Sequence, residues 1–536
     1  MLGYPNTQHR KQKGNAMNAF LSKHAKDVIG TLSGFDRLVF RGTLRSLVYA
    51  GGMKSYLYST GVLLKDFAAH ALDMTKRLKA ASLELTNQSS RPVLYLPSSG
   101  TSKEEMARKI AEEEGIKAGP VCALTAVEPC NSFEIYRNRE AKRLELVPRR
   151  RKCLHIYQYQ IHPVFGFMNA RIQTWFPFNI QICINGREWL ARQMDEAGLE
   201  YRRMDNCFPW ISDPIQAQRL MEQQLRSSWP ELLDGVARAL NPVHDEMFAN
   251  FSSDYYWSTF QSEWATDIMF RDPETLIQLY PKLVHHGLTT FLSPDVMRFL
   301  GQKIPQGGHV HPNLKTEVVS DMKRRQDGVR IKHRFGDNSI KMYDKHGLLR
   351  IESTINDPSD YKSFRTPEGK PEVEKTWLPM RKGIADLHRR AEVSQAGNNR
   401  YLNALASVEN TTSVGELAAD LCRPAVWKGK RVRAINPYSP DDANLIETIS
   451  RGEFTGNGFR NRDLRSILFS GQSTKEEDRL HSAAVTRKLL LLRAHGLIKK
   501  VTGTHRYQLT DEGRNIVTAL ITARSASTES LTKLAA

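Results

Sequence analysis

Residues 459–523 carry a run of secondary-structure signals whose order leaves few folds open to this part of the chain. The segments FRNRDLRSILF (459–469) and RLHSAAVTRKLLLLRAHGLI (479–498) predict two helices separated by the polar turn GQSTKEED. KKVTGTHRYQLT and DEGRNIVTALITA then predict two short strands and a closing helix. The residues that carry these signals are Val485, Leu489 and Leu492 on one apolar side of the second helix, Gly496 after its end, and Thr510 before the closing helix.

The order helix, turn, basic helix, basic strand pair, helix, with HGLIKK before the strand pair and YQLTDEGR at its end, resembles the winged helix-turn-helix of bacterial regulators such as the MarR group. The resemblance covers roughly 60–75 residues and implies that the second helix enters the DNA major groove, while the strand pair, or wing, touches the backbone or the minor groove. From SGFDRLVFRGTL to its end, the whole chain resembles a group of long bacterial proteins, some of which are labelled MarR-like for this segment. That wider likeness implies no particular activity.

The net charge favours a polyanionic partner. The 536 residues include 77 Lys and Arg against 58 Asp and Glu, a formal net charge of +19. Each phosphate that a Lys or Arg neutralises releases condensed counterions, so this excess suits nucleic acid, although charge alone does not separate DNA from RNA or from an anionic membrane. The residues predicted to contact DNA are Ser482, Thr486, Arg487, Lys488 and Arg493 on the second helix, and Lys499, Lys500, His505 and Arg506 on the wing. The alternative is a protein-contact module with solvated charges.

Cysteine spacing and hydropathy predict a bacterial cytoplasmic protein. The six cysteines are scattered without a CxxC pair, which argues against a disulfide framework and a thiolate zinc site. The segment MLGYPNTQHRKQKGN lacks the apolar stretch of a secretory signal, and no run approaches the roughly 20 apolar residues of a membrane span. GxGxxG, GxxxxGK[ST] and GxSxG are absent, so nothing indicates a dinucleotide or P-loop site. We expect no membrane partner, and a homodimer is left open.

The remaining patterns predict a mixed α/β, multidomain protein, with a large mixed-sheet region before the winged helix. Residues 153–185 are rich in aromatic and β-branched residues between Gly and Pro breaks, which is typical of strands. PVLYLP, a helix capped by Thr101 or Ser102, and PVCALTAVE predict a β-α-β unit. We expect a mixed sheet over residues 1–210, a helical segment and basic hairpin completing that core over 211–365, a linker and connecting helix over 366–412, and the winged-helix domain over 413–536.

The segment IKMYDK…LLRIE (340–352) predicts a hairpin with candidate catalytic side chains on one face. Alternation, with a turn at His346-Gly347, would bring Tyr343 and Lys345 near Arg350 and Glu352. The segment resembles part of the rolling-circle replication initiators of phages and plasmids, which nick DNA with a tyrosine and a divalent metal. The resemblance implies Tyr343 as nucleophile, Lys345 and Arg350 as catalytic cations, and Asp344 and Glu352 as ligands of Mg²⁺ or Mn²⁺. The alternative is a charged, non-catalytic hairpin facing nucleic acid.

Two further segments offer candidate metal ligands. Read as a helix, DYYWSTFQSEWATDIMF (254–270) places Glu263 and Asp267 four residues apart on one side, where they could share a metal ion. The alternative is that its aromatic residues only pack in a core or stack on bases. The His309-Val310-His311 triplet resembles the metal-binding signature of one class of nicking enzymes, but it lies in a Gly- and Pro-rich stretch typical of a loop.

Two functions therefore remain open. The first is a DNA-binding protein, for example a transcriptional regulator. This hypothesis rests on the C-terminal pattern alone, and the sequence indicates no cofactor for it with certainty. The second is a metal-dependent DNA nicking or strand-transfer enzyme, which also needs a catalytic hairpin. The basic run at residues 149–152, beside predicted strands with aromatic residues, suits a groove for single-stranded nucleic acid or a solvated sheet edge. The DNA sequence, an effector and an RNA partner stay open.

Overall fold

A computed structural model describes residues 18–97, 101–302, 316–325, 328–367, 369, 372–408, 414–451, 454, 458–469 and 474–527. The fold is mixed α/β, as predicted. The chain forms two compact units. Unit 1 comprises residues 1–30, 268–353 and 392–536, and unit 2 comprises residues 31–267 and 354–391. None of the helices among the described residues is both long enough and apolar enough to cross a membrane.

The strands are numbered in chain order: β1 (Val28–Leu44), β2 (Val93–Leu96), β3 (Gly119–Asn138), β4 (Arg143–His162), β5 (Gly166–Gln173), β6 (Ile180–Asn185), β7 (Tyr201–Met204), β8 (Cys207–Ile211), β9 (Tyr255–Phe270), β10 (Val318–Arg325), β11 (Gly328–Phe335), β12 (Asn338–Lys345), β13 (Leu348–Ile355), β14 (Lys362–Arg365), β15 (Thr376–Pro379), β16 (Ala425–Trp427), β17 (Lys430–Val432), β18 (Ile498–Lys500) and β19 (Tyr507–Leu509). One sheet has eleven strands in the order β10-β11-β12-β13-β9-β1-β6-β5-β4-β3-β2. The described residues also form four two-stranded sheets, which pair β7 with β8, β14 with β15, β16 with β17 and β18 with β19.

The helices are α1 (Ala19–Lys23), α2 (Ala50–Ser59), α3 (Phe67–Gln88), α4 (Lys103–Glu113), α5 (Gly186–Glu196), α6 (Pro214–Gln223), α7 (Trp229–Leu240), α8 (His244–Met247), α9 (Pro273–Thr289), α10 (Ser293–Phe299), α11 (Leu387–Leu405), α12 (Val414–Ala419), α13 (Pro440–Ile449), α14 (Asn461–Leu468), α15 (Lys475–Ala494) and α16 (Asp511–Ser525). The predicted connecting helix is α11, which lies within the expected range of 366–412.

In unit 2, the β-α-β prediction is confirmed. Strands β2 and β3 are parallel, and α4 lies between them in sequence with Ser102 as its N-cap. The apolar side of α4 packs on this sheet through Ala107 and Ala111, which are buried with Leu124 and Tyr159 of the strands. The strand-rich stretch 153–185 forms the second half of β4 and all of β5 and β6, and β5 is antiparallel to both of its neighbours.

In unit 1, the predicted hairpin at 340–352 is confirmed as β12 and β13. His346 and Gly347 connect the strands and have φ of 54° and 81°, the left-handed conformation that a two-residue turn between twisted strands requires. Ile340, Met342, Leu349 and Ile351 are fully buried and belong to the core of this unit. Alternation therefore leaves the odd residues of β12 and the even residues of β13 on the other face.

Two predicted helices are wrong. The segment 254–270 is the strand β9, in which residues 255, 257 and 259 are buried while 256 and 260 are exposed, the two-residue period of a strand. Its density of aromatic residues favours a strand, and that preference outweighs the helical spacing of the acidic residues. The second is MNAFLSKHAKDVIGTLSG (17–34), whose helical periodicity predicts one helix that ends at Ser33-Gly34. In the structure this helix is only α1, because the chain is already extended in β1 from Val28.

Candidate functional site

The apolar side of α15 is anchored in a core built by the C-terminal elements of unit 1. Val485, Leu489 and Leu492 are buried together with Leu464 of α14 and Leu520 of α16. Burying an aliphatic side chain of this size contributes roughly 1.5–3 kcal/mol relative to exposure. The three residues predicted to face the core therefore do so, and they fix which side of α15 faces outward.

The two ends of α15 are set by local hydrogen bonds and by a glycine. Thr474 is the N-cap: its hydroxyl accepts from the Glu477 amide, and the Glu477 carboxylate accepts from the Thr474 amide. The helix thus begins four residues before the predicted start. Gly496 has a φ of 69°, which confirms the predicted glycine stop.

Five of the predicted DNA-contacting residues are exposed, and one of them, Thr486, has its hydroxyl hydrogen-bonded within the protein. Arg487 stands two residues after the buried Val485, which places it on the opposite side of α15. In the adjoining strand pair, β18 and β19, Lys499 and Lys500 are exposed, and so is His505 in the connection. The positively charged groups among them can approach a phosphate backbone without breaking a described contact.

The other predicted contact residues are hydrogen-bonded or partly buried. Asn461 Nδ2, at the start of α14, donates to Ser482 O and to Thr486 Oγ1, both at 2.9 Å. The guanidinium of Arg506 donates to Gly458 O at 3.2 Å. Two more residues are partly buried: Arg493, whose Cζ lies 4.9 Å from the ring centroid of Trp427, and Lys488. The hydrogen-bonded residues among them help to position the helix and the strand pair. The sequence offered no signal for the role of Asn461.

The β12–β13 hairpin brings Tyr343 to Glu352, as predicted. The Tyr343 phenol donates to Glu352 Oε2 at 2.5 Å, and Lys341 Nζ donates to Glu352 Oε1 at 2.5 Å. Glu352 is 2% exposed. Burial raises the pKa of Glu352, but the charge and hydrogen bond of Lys341, with the Tyr343 hydrogen bond and the charge of Arg350, outweigh burial and lower it. Glu352 is therefore a buried, ionised carboxylate.

The remaining predicted residues of this hairpin lie on opposite faces of the strands. Arg350 is fully buried, and Lys345 is partly buried on the same side of β12 as Tyr343. Asp344 projects from the opposite face, where its carboxylate accepts from the Gly347 amide and caps the turn. Burial raises the pKa of Asp344. Asp344 and Glu352 consequently do not fit a shared metal ion within this hairpin.

The structure of β9 also separates Glu263 from Asp267. On a helix these residues would be neighbours, but four residues of strand span roughly 13 Å, too far for direct ligation of one ion by both carboxylates. Asp267 is 1% exposed, and its Oδ2 lies 3.0 Å from Arg187 Nη2. Glu263 and Asp36, in contrast, have carboxylate oxygens within 4.8 Å of each other.

Arg187 is the buried charge that sequence reasoning missed. It stands in the first turn of α5, is fully buried, and donates to Ala265 O at 3.2 Å besides pairing with Asp267. Its Nε lies 3.8 Å from Asp36 Oδ1, and Asp36 also accepts from Asn206 Nδ2 at 2.9 Å. A buried arginine between two carboxylates is an ion-pair network that holds α5 on the sheet, so Asp267 has a structural partner.

The His309-Val310-His311 triplet lies outside the described residues. In comparisons with known proteins, no family model, no curated protein and no solved structure matches the chain. The function must therefore be argued from the residues and their geometry.

Proposed function

We propose that the protein binds double-stranded DNA through a winged helix-turn-helix formed by α14, α15, the β18–β19 pair and α16. The order of these elements supports the proposal, since helix, turn, helix, strand pair, helix is the order of that motif. In it, α15 is the recognition helix and β18–β19 is the wing. A transcriptional regulator in the bacterial cytoplasm is the role that we propose for such a module.

The observation that carries the proposal is the arrangement of charge around α15. The leucine side is buried, Arg487 is exposed on the opposite side, and Lys499 and Lys500 are exposed on the neighbouring strand. Cations on a helix and an adjacent wing can contact phosphates on either side of a groove that the helix enters. If this module instead contacted another protein and its charges were merely solvated, the cations would not need to lie on both the helix and the adjacent strand pair.

Charge reversal tests this proposal directly. Arg487→Glu, and separately Lys499→Glu with Lys500→Glu, should weaken binding to a mixed-sequence duplex by at least about tenfold each, because attraction to phosphate becomes repulsion. Fluorescence anisotropy with the full chain measures the affinity. Lys109→Glu is the matched control, since Lys109 is an exposed helical lysine of unit 2 with a side chain 73% exposed. Equal affinities for the wild type and the α15 and wing variants would reject the proposal.

A second candidate function is DNA strand cleavage by Tyr343, and the Tyr343–Glu352 hydrogen bond favours it. A phenol that attacks phosphorus must lose its proton, and Glu352 Oε2 is already placed to accept it. A supercoiled-plasmid nicking assay with Mg²⁺ or Mn²⁺ tests this activity. The proposal of cleavage is supported if the wild type nicks the plasmid and Tyr343→Phe abolishes nicking but retains the affinity for duplex DNA. An uncut plasmid with the wild type rejects it.

A further inference from the structure

Unit 2 contains a polar pocket that the DNA-binding proposal does not use. Its volume is about 350 Å³, near the lower end of the roughly 300–1,000 Å³ typical of small-molecule sites. Three arginines, Arg41, Arg150 and Arg171, line it, together with amide side chains such as those of Asn131 and Gln181. No Asp or Glu is among the described residues that line it.

Strand register places two of these arginines on either side of one amide. Arg41 of β1 pairs with Gln181 of β6, and Gln181 pairs with Arg171 of β5. Side chains directly opposite one another on antiparallel strands project from the same face. The row Arg41, Gln181, Arg171 thus spans two strand spacings, roughly 10 Å. Arg150 adds a third cation from β4, where it pairs with Asn131 of β3.

The arginines are only partly neutralised. Arg171 Nη1 lies 3.4 Å from Glu128 Oε2, and Lys103 and Tyr157 also bind that carboxylate. Arg41 stacks on Phe260, with its Cζ 4.3 Å from the ring centroid. Burial, followed by the positive charge of Arg171, lowers the pKa of Arg41. An anion between these arginines would relieve that repulsion.

The lining also holds an unsatisfied amide. Asn179 Oδ1 is buried and has no hydrogen-bond partner among the described residues. Amide oxygen and nitrogen exchange places on a 180° rotation, so Asn179 can present either an acceptor or a donor to a ligand. Cations flanked by amide donors are suited to tetrahedral oxyanions, since guanidinium groups bind phosphate through two parallel hydrogen bonds.

We propose that this pocket binds the phosphate group of a phosphate ester, clamped between Arg41 and Arg171 beside Gln181, with Arg150 at its side. The ester has two possible sources, a free nucleotide or one nucleotide unit of a single-stranded nucleic acid. The site lies wholly in unit 2, and its ligand is distinct from the duplex that α15 binds.

The test uses the full chain carrying Arg487→Glu, Lys499→Glu and Lys500→Glu, so that the C-terminal surface does not contribute. Binding of pyrophosphate, of a nucleoside monophosphate and of a 15-nucleotide single strand is measured by calorimetry. Arg150→Ala and Arg171→Met should each weaken binding about tenfold or more, as expected for loss of a charge-assisted contact. Arg149→Ala is the control, because Arg149 neighbours Arg150 in sequence, is not among the described residues that line the pocket, and binds Glu134.

Binding of the mononucleotide identifies a free nucleotide as the source, and binding of only the oligonucleotide identifies a strand. Either result, lost in Arg150→Ala and kept in Arg149→Ala, supports the proposal. Arg150 is exposed, so its replacement leaves the fold intact even if Arg171→Met does not. The proposal is overturned if none of the three probes binds, or if Arg150→Ala and Arg149→Ala bind them equally.

Discussion

Asn461 Nδ2 donates a hydrogen bond to Thr486 Oγ1 at 2.9 Å and a second one to the backbone oxygen of Ser482. One amide at the start of α14 thus fixes the rotation of α15 at the turn just before Arg487. The direction in which Arg487 projects depends on this contact as well as on the buried leucines.

Replacing Asn461 by Ala should loosen α15 without changing the charge of the surface. Loss of both hydrogen bonds is expected to destabilise this end of the helix by about 1 kcal/mol. Hydrogen exchange of the amides near residues 482–486 measures the effect. Ser466→Ala is the control, since the Ser466 hydroxyl donates to Asp463 O within α14. Unchanged exchange in Asn461→Ala would contradict the role given to this residue.

The buried Glu352 predicts an order of stabilities for two variants. Tyr343→Phe removes one hydrogen bond to a charged group and should cost about 1.5–3 kcal/mol. Lys341→Met removes the cation that neutralises the buried carboxylate and should cost more, about 3–5 kcal/mol. Urea unfolding at pH 7 measures both, with the exposed Lys323→Met as control. Because the folded-state pKa of Glu352 is lowered, its stabilising contribution is present above the unfolded pKa and is lost as pH falls through the folded pKa. Equal losses in the two variants would contradict the ion-pair account.

From the burial of His333 we predict that mild acid destabilises unit 1. Burial lowers the pKa of His333 from 6.5 to about 4, and its ring nitrogens bind Ser320 Oγ and Tyr401 OH. Between pH 6.5 and 4 the unfolded chain holds the proton that the folded chain does not, so stability falls as pH falls through this window. The loss between pH 7 and 5 should be about 2 kcal/mol and should be smaller in His333→Gln. Urea unfolding at both pH values measures it, with the exposed His285→Gln as control. An identical loss in the wild type and His333→Gln would contradict the assignment.

From the proximity of Cys130 and Cys153 we predict a site of oxidation in unit 2. Their Sγ atoms lie 2.9 Å apart across β3 and β4. The hydrogen bond with Cys153, followed by the charges of Arg151 and Arg171, outweighs burial and lowers the pKa of Cys130, which raises its thiolate fraction. Diamide, a two-electron oxidant, should therefore join them in a disulfide. Peptide mass spectrometry should show the loss of two hydrogen atoms, absent in Cys130→Ser and present in Cys122→Ser. Oxidation confined to the exposed Cys422 would contradict this expectation.

Sequence reasoning predicted the elements whose signals are local. The β12–β13 hairpin follows from alternation and a His-Gly turn, and α15 follows from leucines at helical spacing. These signals act within about twenty residues, so the sequence displays them directly.

The failures concern signals that depend on distant residues. Glu263 and Asp267 show helical spacing, yet β9 is a strand because its neighbours in the sheet pair with it. Arg187 sits in the first turn of a helix and gives no local sign that Asp36 and Asp267 neutralise it. Arg41 and Arg171 are 130 residues apart in sequence, and only the register through Gln181 places them in one row.

The ionic-strength dependence of duplex affinity tests the DNA-binding proposal most directly. Each phosphate contact contributes about 0.9 to the slope of log affinity against log salt concentration. The triple variant Arg487→Gln, Lys499→Gln, Lys500→Gln should lower the magnitude of that slope by roughly 3, whereas Lys109→Gln should leave it unchanged. A triple variant with the wild-type slope and affinity would contradict the proposal that α15 and its wing bind the duplex backbone.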